Sequence, residues 1–263
     1  MDLNLDGKVG LITGGSQGLG AATARLFAAE GARLVLAARS KDRLQAMAEE
    51  LRAAFDAEVV TAPQDLTLPD GADIVAAAAL DTFGRIDILV NSAGSARGGV
   101  FWEIPDQVWD QSMALKFFAT VRMIRAVLPT MRAQKYGRIV TIAGNLGRQP
   151  DPRMLPGAAA NAALLAVTSG LAGEVAADGV LVNAVNPGPT LTPRWTTRFH
   201  EMSRQTGRSV EDLQADVEKT IPTQRFGEPE QVARIIAFLA SDCATNITGT
   251  SITADGGSTK ALA

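Results

Sequence analysis

The chain has 263 residues, of which 46% are hydrophobic, and its formal net charge at pH 7 is −3. This length allows one large α/β domain or two small ones, and the slightly negative charge argues against a nucleic-acid partner or an anionic membrane surface, which need a basic face. One cysteine and one histidine exclude an internal disulfide and are too few for a zinc site, so no metal is expected and a reducing compartment fits.

The amino-terminal sequence MDLNLDGKVGLITGG has no basic segment followed by a long apolar run. No secretory signal is therefore predicted. No apolar stretch comes close to about 20 residues by this reading, so no membrane-spanning helix is expected either. These features together predict a soluble, cytoplasmic protein.

Short runs rich in β-branched residues recur along the whole chain. They are apolar almost throughout rather than alternating, which is typical of strands covered on both faces. The predicted strands are KVGLI (8–12), RLVLAA (33–38), AEVVTA (57–62), IDILVN (86–91), GRIVTI (137–142), VLVNAV (180–185) and GTSITA (249–254).

Helical patterns fill the spaces between these strands. The alternation predicts right-handed βαβ units, and hence a Rossmann fold with a doubly wound, mostly parallel seven-stranded sheet and helices on both faces. No linker divides residues 1–263, so one domain is expected, with a substrate cap in the long insertion at about 190–227. The predicted helices are Leu19–Glu30, Asp42–Phe55, Asp70–Phe83, Val108–Arg132, Leu155–Ala177 and Pro229–Ala240.

The sequence TGGSQGLG (13–20) joins the first strand to the first helix. Its glycines leave room for a pyrophosphate to approach the backbone, and the helix amino terminus supplies partial positive charge. A tight turn without a ligand would use the same glycines. The predicted contacts in this turn are Gly14, Ser16, Gln17, Gly18, Leu19 and Gly20.

The end of the second strand carries the signal for cofactor choice. Ala38 offers no carboxylate for a ribose 2′-hydroxyl, whereas Arg39, followed by Ser40, suits a 2′-phosphate. Asp42 is a rival carboxylate, but the dipole of its helix explains an acidic residue in that first turn. The sequence therefore predicts NADP(H) rather than NAD(H).

Over essentially its full length the chain resembles the short-chain dehydrogenase/reductase family. QDLT (64–67), NSAG (91–94), NPGPTLT (186–192) and the stretch RFGEPEQVARIIAFLASD with ITGTSITADGG (225–257) are similar to successive family motifs. The resemblance implies a tetramer, and a Thr190 that bonds the nicotinamide carboxamide. Asn91 could instead tie two strands together, and Pro187 could be plain turn punctuation. The residues that the resemblance assigns to the cofactor are Asp65, Leu66, Asn91, Ala93, Gly94, Pro187, Gly188 and Thr190.

The positions of the family's catalytic residues carry other residue types. The family uses a serine, a Tyr-x-x-x-Lys pair and an asparagine, and GAAAN (157–161) stands at the Tyr-x-x-x-Lys position. By this alignment Gly157 replaces the tyrosine and Gly144 the serine. The single tyrosine, Tyr136, precedes the fifth strand, so it is expected at the end of the sheet away from the nicotinamide.

The other two catalytic positions hold Lys116 and Asn161, so lysine and asparagine have changed places. A lysine in a partly desolvated cleft can have a lowered pKa and donate a proton. Lys116 is therefore the candidate acid/base or cofactor anchor, and Asn161 the candidate ribose ligand. The alternative is that Lys116 faces solvent or only replaces the charge lost at 161.

Three functions stay open at this point. The chain could be an oxidoreductase with a rebuilt acid/base site, a non-redox lyase or isomerase, or an inactive subunit of a mixed oligomer with an active relative. The substrate is a small molecule; arginines in the expected pocket would suit an anionic one, unless they face solvent. The expected pocket residues are Ser95, Arg97, Asn145, Arg148, Arg153, Met154 and cap residues near Trp195 and Phe199, whereas His200 is expected to be exposed.

Overall fold

The computed structural model describes residues 2–95 and 97–260, and its central feature is one seven-stranded sheet. The order of the strands across the sheet is β3-β2-β1-β4-β5-β6-β7, and every pairing is parallel. The predicted single-domain Rossmann fold is confirmed, with a sheet that is wholly rather than mostly parallel. In chain order the strands are Val9–Thr13 (β1), Arg33–Ala38 (β2), Val59–Pro63 (β3), Ile88–Asn91 (β4), Gly137–Ile142 (β5), Val180–Pro187 (β6) and Ser251–Ala254 (β7).

Helices cover both faces of this sheet, as the apolar strands require. One core packs the first, second and ninth helices on residues such as Leu34 and Leu36 of β2, and the other packs the third, fifth and sixth helices on residues such as Leu89 of β4. In chain order the helices are Gly18–Ala29 (α1), Lys41–Phe55 (α2), Gly71–Phe83 (α3), Asp106–Ser112 (α4), Ala119–Gln134 (α5), Leu155–Val175 (α6), Pro193–Thr206 (α7), Val210–Thr220 (α8) and Pro229–Ala240 (α9).

The helix predicted at Val108–Arg132 is interrupted. A π-helical turn, Met113–Phe118, lies between α4 and α5. Such a turn inserts an extra residue into the helical ladder and is frequent at functional sites. The interruption changes the direction in which Lys116, in the middle of the turn, leaves the helix.

Helix α6 is more apolar than the sequence reading allowed. Residues Leu155–Asp178 have a mean hydropathy of 1.4 and are long enough to span a membrane by length and composition. The fold gives another reason for this hydropathy, because α6 packs on the sheet. Its Leu164 is 3% exposed, and Ala172 and Val175 are 2% exposed.

The predicted cap contains α7 and α8. They close over a small core of their own, formed by Phe199, Leu213 and Phe226. The rings of Trp195 and Phe226 meet edge to face at 5.1 Å. Phe199 is 1% exposed and Trp195 is half-buried, so these two aromatic residues hold the cap together. That cap residues near them line the substrate pocket stays a prediction.

The strand order places the ends of β1 and β4 side by side at the centre of the sheet. Chain connections run in opposite directions from this point, since β2 and β3 lie on one side and β5, β6 and β7 on the other. Open parallel sheets bind ligands in the crevice at the carboxyl ends of such strands. The turns that follow β1, β4, β5 and β6 are therefore the place to look for a site.

Candidate active site

The glycine turn after β1 is closely packed. A Cβ atom added at Gly20 would lie 2.3 Å from the carbonyl oxygen of Gly14, and one added at Gly14 would lie 3.0 Å from the amide nitrogen of Ala93. Helix α1 begins at Gly18, and Gln17 makes no side-chain cap there. Its first amide groups are thus available to an anion at the positive end of the helix. The predicted contacts Ser16 and Leu19, both half-buried, belong to this turn.

Arginines flank the far end of this turn. Arg39 is exposed at the end of β2, and Ser40 caps α2 by accepting a hydrogen bond from the amide of Arg43 at 3.5 Å. The guanidinium of Arg43 donates to Oε1 of Gln17 at 2.7 Å, which ties α2 to the glycine turn. Sequence reasoning missed Arg43, since only the folded chain brings it beside residue 17.

Asp65 lies at the end of β3 in a turn that is built around its carboxylate. Its Oδ1 accepts hydrogen bonds from the amide of Thr67 at 2.9 Å and from the hydroxyl of Thr67 at 2.7 Å. These bonds, helped by the charge of Arg39, hold the pKa of Asp65 below its usual value. The neighbouring Leu66 is 4% exposed and belongs to the core.

The turn after β4 is fastened to β1. The hydroxyl oxygen of Thr13 accepts hydrogen bonds from the amides of Ser92 at 3.0 Å and Ala93 at 3.1 Å. Asn91 is 3% exposed, and its Nδ2 donates to the hydroxyl of Thr141 in β5 at 3.4 Å. Asn91 thus does tie two strands together. Its Oδ1 has no hydrogen-bond partner among the described residues, which leaves an acceptor for a ligand or water.

The turn after β6 differs from expectation at one residue. Gly188, the residue after Pro187, packs closely on the end of β7. A Cβ atom added at Gly188 would lie 2.5 Å from Cβ of Asp255. The hydroxyl of Thr190 donates to the carbonyl of Gly188 at 3.1 Å, and Thr190 is 5% exposed. This buried, engaged side chain does not suit the carboxamide role given to it. Thr192 is the better candidate, since its methyl group lies 3.6 Å from a Cβ atom added at Gly18.

Lys116 reaches the same crevice from the π-helical turn. Its Nζ donates to the carbonyl of Ala143, just after β5, at 3.4 Å. A Cβ atom added at Gly94 would lie 3.4 Å from this Nζ. Burial, together with the charge of Arg194, lowers the pKa of Lys116 to about 8. The alternative that Lys116 faces solvent is therefore wrong.

Asn161 lies under the turn that follows β5. It is 5% exposed, and its Nδ2 would be 2.8 Å from a Cβ atom added at Gly144. The backbone of Gly144 has a φ of 117°, which L-residues with side chains rarely adopt. Position 144 is thus shaped for glycine both by its backbone and by Asn161. Oδ1 of Asn161 is buried without a hydrogen-bond partner among the described residues.

The start of α7 adds a residue that the sequence reasoning missed. The guanidinium Nη2 of Arg194 donates to the carbonyl oxygen of Gly94. Desolvation beside the crevice lowers the pKa of Arg194. The only sequence signal for Arg194 was its place just after the turn of β6, at the beginning of the cap.

Of the three arginines expected in the substrate pocket, one is engaged by the sheet and two are exposed. Arg148 donates to the hydroxyl of Ser251 in β7 at 2.8 Å, so it braces the edge of the sheet. Arg97 and Arg153 are exposed, as is His200. Segments 97–99 and 151–154 do meet, because the amide of Gly99 donates to the carbonyl of Arg153 at 2.9 Å; Met154 is half-buried there and Ser95 is exposed. Asn145 donates to a carboxylate oxygen of Asp255 at 3.4 Å.

Tyr136 lies at the amino end of β5, away from the crevice, as the sequence predicted. Its hydroxyl donates to Oδ1 of Asp242 at 3.1 Å. Lys8 and Arg138 stand over its ring at 4.0 Å and 4.3 Å from the centroid. Burial raises the pKa of Tyr136 to about 12. This tyrosine has a structural role and no access to a substrate in the crevice.

Comparison with known proteins places this geometry in a family. Residues 14–259 match the model of the enoyl-(acyl carrier protein) reductase family. The chain is 34% identical to a 3-oxoacyl-[acyl-carrier-protein] reductase of Thermotoga maritima, over 97% of this chain and 99% of that protein.

Two solved structures extend the comparison. L-sorbose reductase from Gluconobacter frateurii, complexed with NADPH and L-sorbose, superposes with a TM-score of 0.96 at 37% identity and full coverage of both chains. An NADPH-bound short-chain oxidoreductase from Pseudomonas aeruginosa PAO1, described as containing an atypical catalytic center, superposes with a TM-score of 0.90 at 33% identity over 98% of this chain and 99% of that one.

Proposed function

Since the chain belongs to the short-chain dehydrogenase/reductase family, we propose that it is an NADP(H)-dependent oxidoreductase that interconverts a carbonyl compound and its alcohol, with Lys116 as the acid/base. The observation that carries this proposal is the partly buried Nζ of Lys116 in the crevice at the carboxyl ends of the strands. Oxidoreductase chemistry agrees with the relatives, and the solved neighbours named above contain NADPH.

The residues of the crevice fit NADP(H). The glycine turn and the uncapped start of α1 would hold the pyrophosphate. Arg39, joined by Arg43 through its bond to Gln17, would hold the 2′-phosphate. The unpaired Oδ1 atoms of Asn91 and Asn161 are acceptors for ribose or amide groups. When bound, the nicotinamide supplies the hydride for carbonyl reduction.

The protein itself would supply the proton that carbonyl reduction requires. With a pKa of about 8, Lys116 is largely an ammonium at pH 7 and can give a proton to the oxygen of a carbonyl that is being reduced. In the oxidation direction the neutral amine takes that proton back. The Nζ of Lys116 already lies beside the end of β5, where it donates to the carbonyl of Ala143, and from there its long stem would bring it to the substrate oxygen.

Asn161 would act as a ligand rather than an acid. Its Nδ2 lies against Gly144, and its Oδ1, which has no partner among the described residues, can accept a hydrogen bond from a hydroxyl group. An asparagine carries no charge, so it cannot lower the pKa of a neighbour as the family's lysine does. The charge that lowers the pKa of the acid/base, here Lys116, would come from Arg194 instead.

Lys116→Met is the first test of this function, because it keeps the aliphatic stem and removes the charge. NADPH binding is measured by fluorescence quenching, and NADPH oxidation is followed against a panel of carbonyl compounds. The variant should lose about 10²–10⁴-fold of kcat, the usual contribution of a general acid. Lys219→Met, which removes an exposed lysine on α8, is the matched control.

A second readout is the pH profile. The ammonium form of Lys116 is the proton donor, so the rate of carbonyl reduction should fall as pH rises through about 8, whereas alcohol oxidation should rise over the same range. Flat profiles, or full activity of Lys116→Met, would refute the role of Lys116. NADPH binding without any turnover would favour an inactive subunit of a mixed oligomer. The tetramer, homomeric or mixed, and the cytoplasmic location stay predictions.

A further inference from the structure

We propose that the substrate is a short oxo acid and that Arg194 binds its carboxylate beside the carbonyl group that Lys116 serves. This inference rests on the proposed function and names the substrate class for it. The site is the segment around Gly94, where the cap and the π-helical turn meet.

Two cationic side chains lie beside Gly94. Nη2 of Arg194 donates to the carbonyl oxygen of Gly94, and a Cβ atom added to the same glycine would lie 3.3 Å from Cγ and 3.4 Å from Nζ of Lys116. Because both cations lie beside one residue, we expect the two groups that they would bind in a substrate to be close together. A 2-oxo or 3-oxo acid carries its carbonyl and carboxylate groups on adjacent or next-but-one carbon atoms.

No carboxylate in residues 2–95 and 97–260 forms an ion pair with either cation. Seven ion pairs are formed elsewhere in this part of the chain, none with Lys116 or Arg194. The charge of Arg194 disfavours the ammonium form of Lys116, and the partly buried Lys116 lacks the anion that normally compensates such a charge, whereas Arg194 is exposed. An anionic ligand would remove this repulsion, so the crevice favours a charged over a neutral substrate.

The cofactor does not need these two cations. Its pyrophosphate has the amide groups at the start of α1, and its 2′-phosphate has Arg39 and Arg43 on the other side of the glycine turn. Lys116 and Arg194 are therefore left for an anionic group that the substrate brings.

This inference is tested directly by binding measurements on an acid and its ester, neither of which can be reduced while the oxidised cofactor is bound. The protein saturated with NADP⁺ is titrated calorimetrically with acetoacetate and with methyl acetoacetate, which differ by one negative charge. We expect acetoacetate to bind about 10- to 100-fold more tightly at pH 7, as a charge-assisted bond to a guanidinium requires. Pyruvate is titrated in the same way, so that a 2-oxo acid is compared with the 3-oxo acid acetoacetate.

Arg194→Gln should abolish most of this difference, and Arg194→Lys should restore part of it. Arg198→Gln is the control, since Arg198 lies on the same helix but stands over the ring of Trp195, 5.0 Å from its centroid. This control should keep the full preference for acetoacetate. An equal loss in both variants would show a general charge effect and overturn the assignment.

The ionisation of Lys116 gives an independent readout. In protein with ¹³C-labelled lysine, acetoacetate should raise the pKa of Lys116 towards its ordinary value, because an anion favours the ammonium form; methyl acetoacetate should leave it unchanged. Equal affinity for acid and ester would overturn the inference while NADPH oxidation by neutral carbonyl compounds still supported the proposed function. A loss of NADPH affinity in Arg194→Gln as large as the loss of acetoacetate affinity would assign Arg194 to the cofactor instead.

Discussion

The two halves of the crevice are built by different means. The nucleotide half, from β1 to β3, is shaped mainly by backbone: a glycine turn, a helix amino terminus and a turn closed on Asp65. The other half, from β4 to the start of α7, would depend on single side chains at 116, 161 and 194. A backbone site keeps its motif in the sequence, whereas a side-chain site can change its chemistry through a few substitutions in an unchanged fold.

The strongest test of the backbone half is Gly20→Ala. The new Cβ would lie 2.3 Å from the carbonyl of Gly14, so the turn must move and its amides lose their alignment. Losing two charge-assisted bonds to the pyrophosphate corresponds to at least about 100-fold weaker NADPH binding. Fluorescence titration measures the change. Gly173→Ala, whose Cβ would meet nothing within 4 Å, should bind NADPH as the parent protein does.

Arg39→Ala tests the side chain to which we assign most of the cofactor preference of the nucleotide half. The parent protein should bind NADP(H) at least about tenfold more tightly than NAD(H), since a charge-assisted pair contributes roughly 1.5–3 kcal/mol. The variant should lose most of that preference, and Arg43→Ala part of it. Equal affinities of the parent protein for both dinucleotides would refute this account of the 2′-phosphate site.

Gly144→Ser asks whether the other half tolerates the serine that the proposed alignment places at position 144 in the family. We expect it to destabilise the fold by about 1–3 kcal/mol from the positive φ alone, with a further cost from Nδ2 of Asn161 at 2.8 Å. Gly207→Ser separates the two effects, because Gly207 has a φ of 70° and open space around it. A Gly144→Ser protein that melts at the same temperature as Gly207→Ser would show that the turn adapts freely.

Lys116→Met should also change stability. The folded state holds Lys116 with a pKa of about 8, below the 10.5 of the unfolded chain, so unfolding takes up a proton between these values and the parent protein gains stability as pH rises through them. At pH 7 the variant should be more stable by an amount on the order of 1–3 kcal/mol. Thermal melts should show this gain shrinking towards pH 10; a constant gain would contradict the buried ammonium.

The sequence alone was sufficient for the fold class and for the strands. Apolar strands and helical periods are local patterns, and they predicted all seven strands within two residues of their bounds. The glycine turn and Arg39 were identified in the same way, since a motif between a strand and a helix is contiguous in the chain, and their roles towards the cofactor stay predictions. The interruption of the helix around Lys116, the helices α7 and α8, the apolar character of α6 and the contact of Arg43 with Gln17 were missed.

Tertiary structure alone decided which side chains meet in the other half of the crevice. Arg194 reaches Gly94 across a separation of 100 residues, and the methyl group of Thr192 lies 3.6 Å from a Cβ atom added at Gly18, whereas the hydroxyl of Thr190 bonds Gly188. Of the arginines that the sequence favoured, Arg148 binds the sheet edge, and Arg97 and Arg153 are exposed. Neither pattern nor spacing encodes such contacts, because they depend on how the cap packs over the strand ends. The same packing desolvates Lys116 and so sets the acidity of the group on which the proposed chemistry depends.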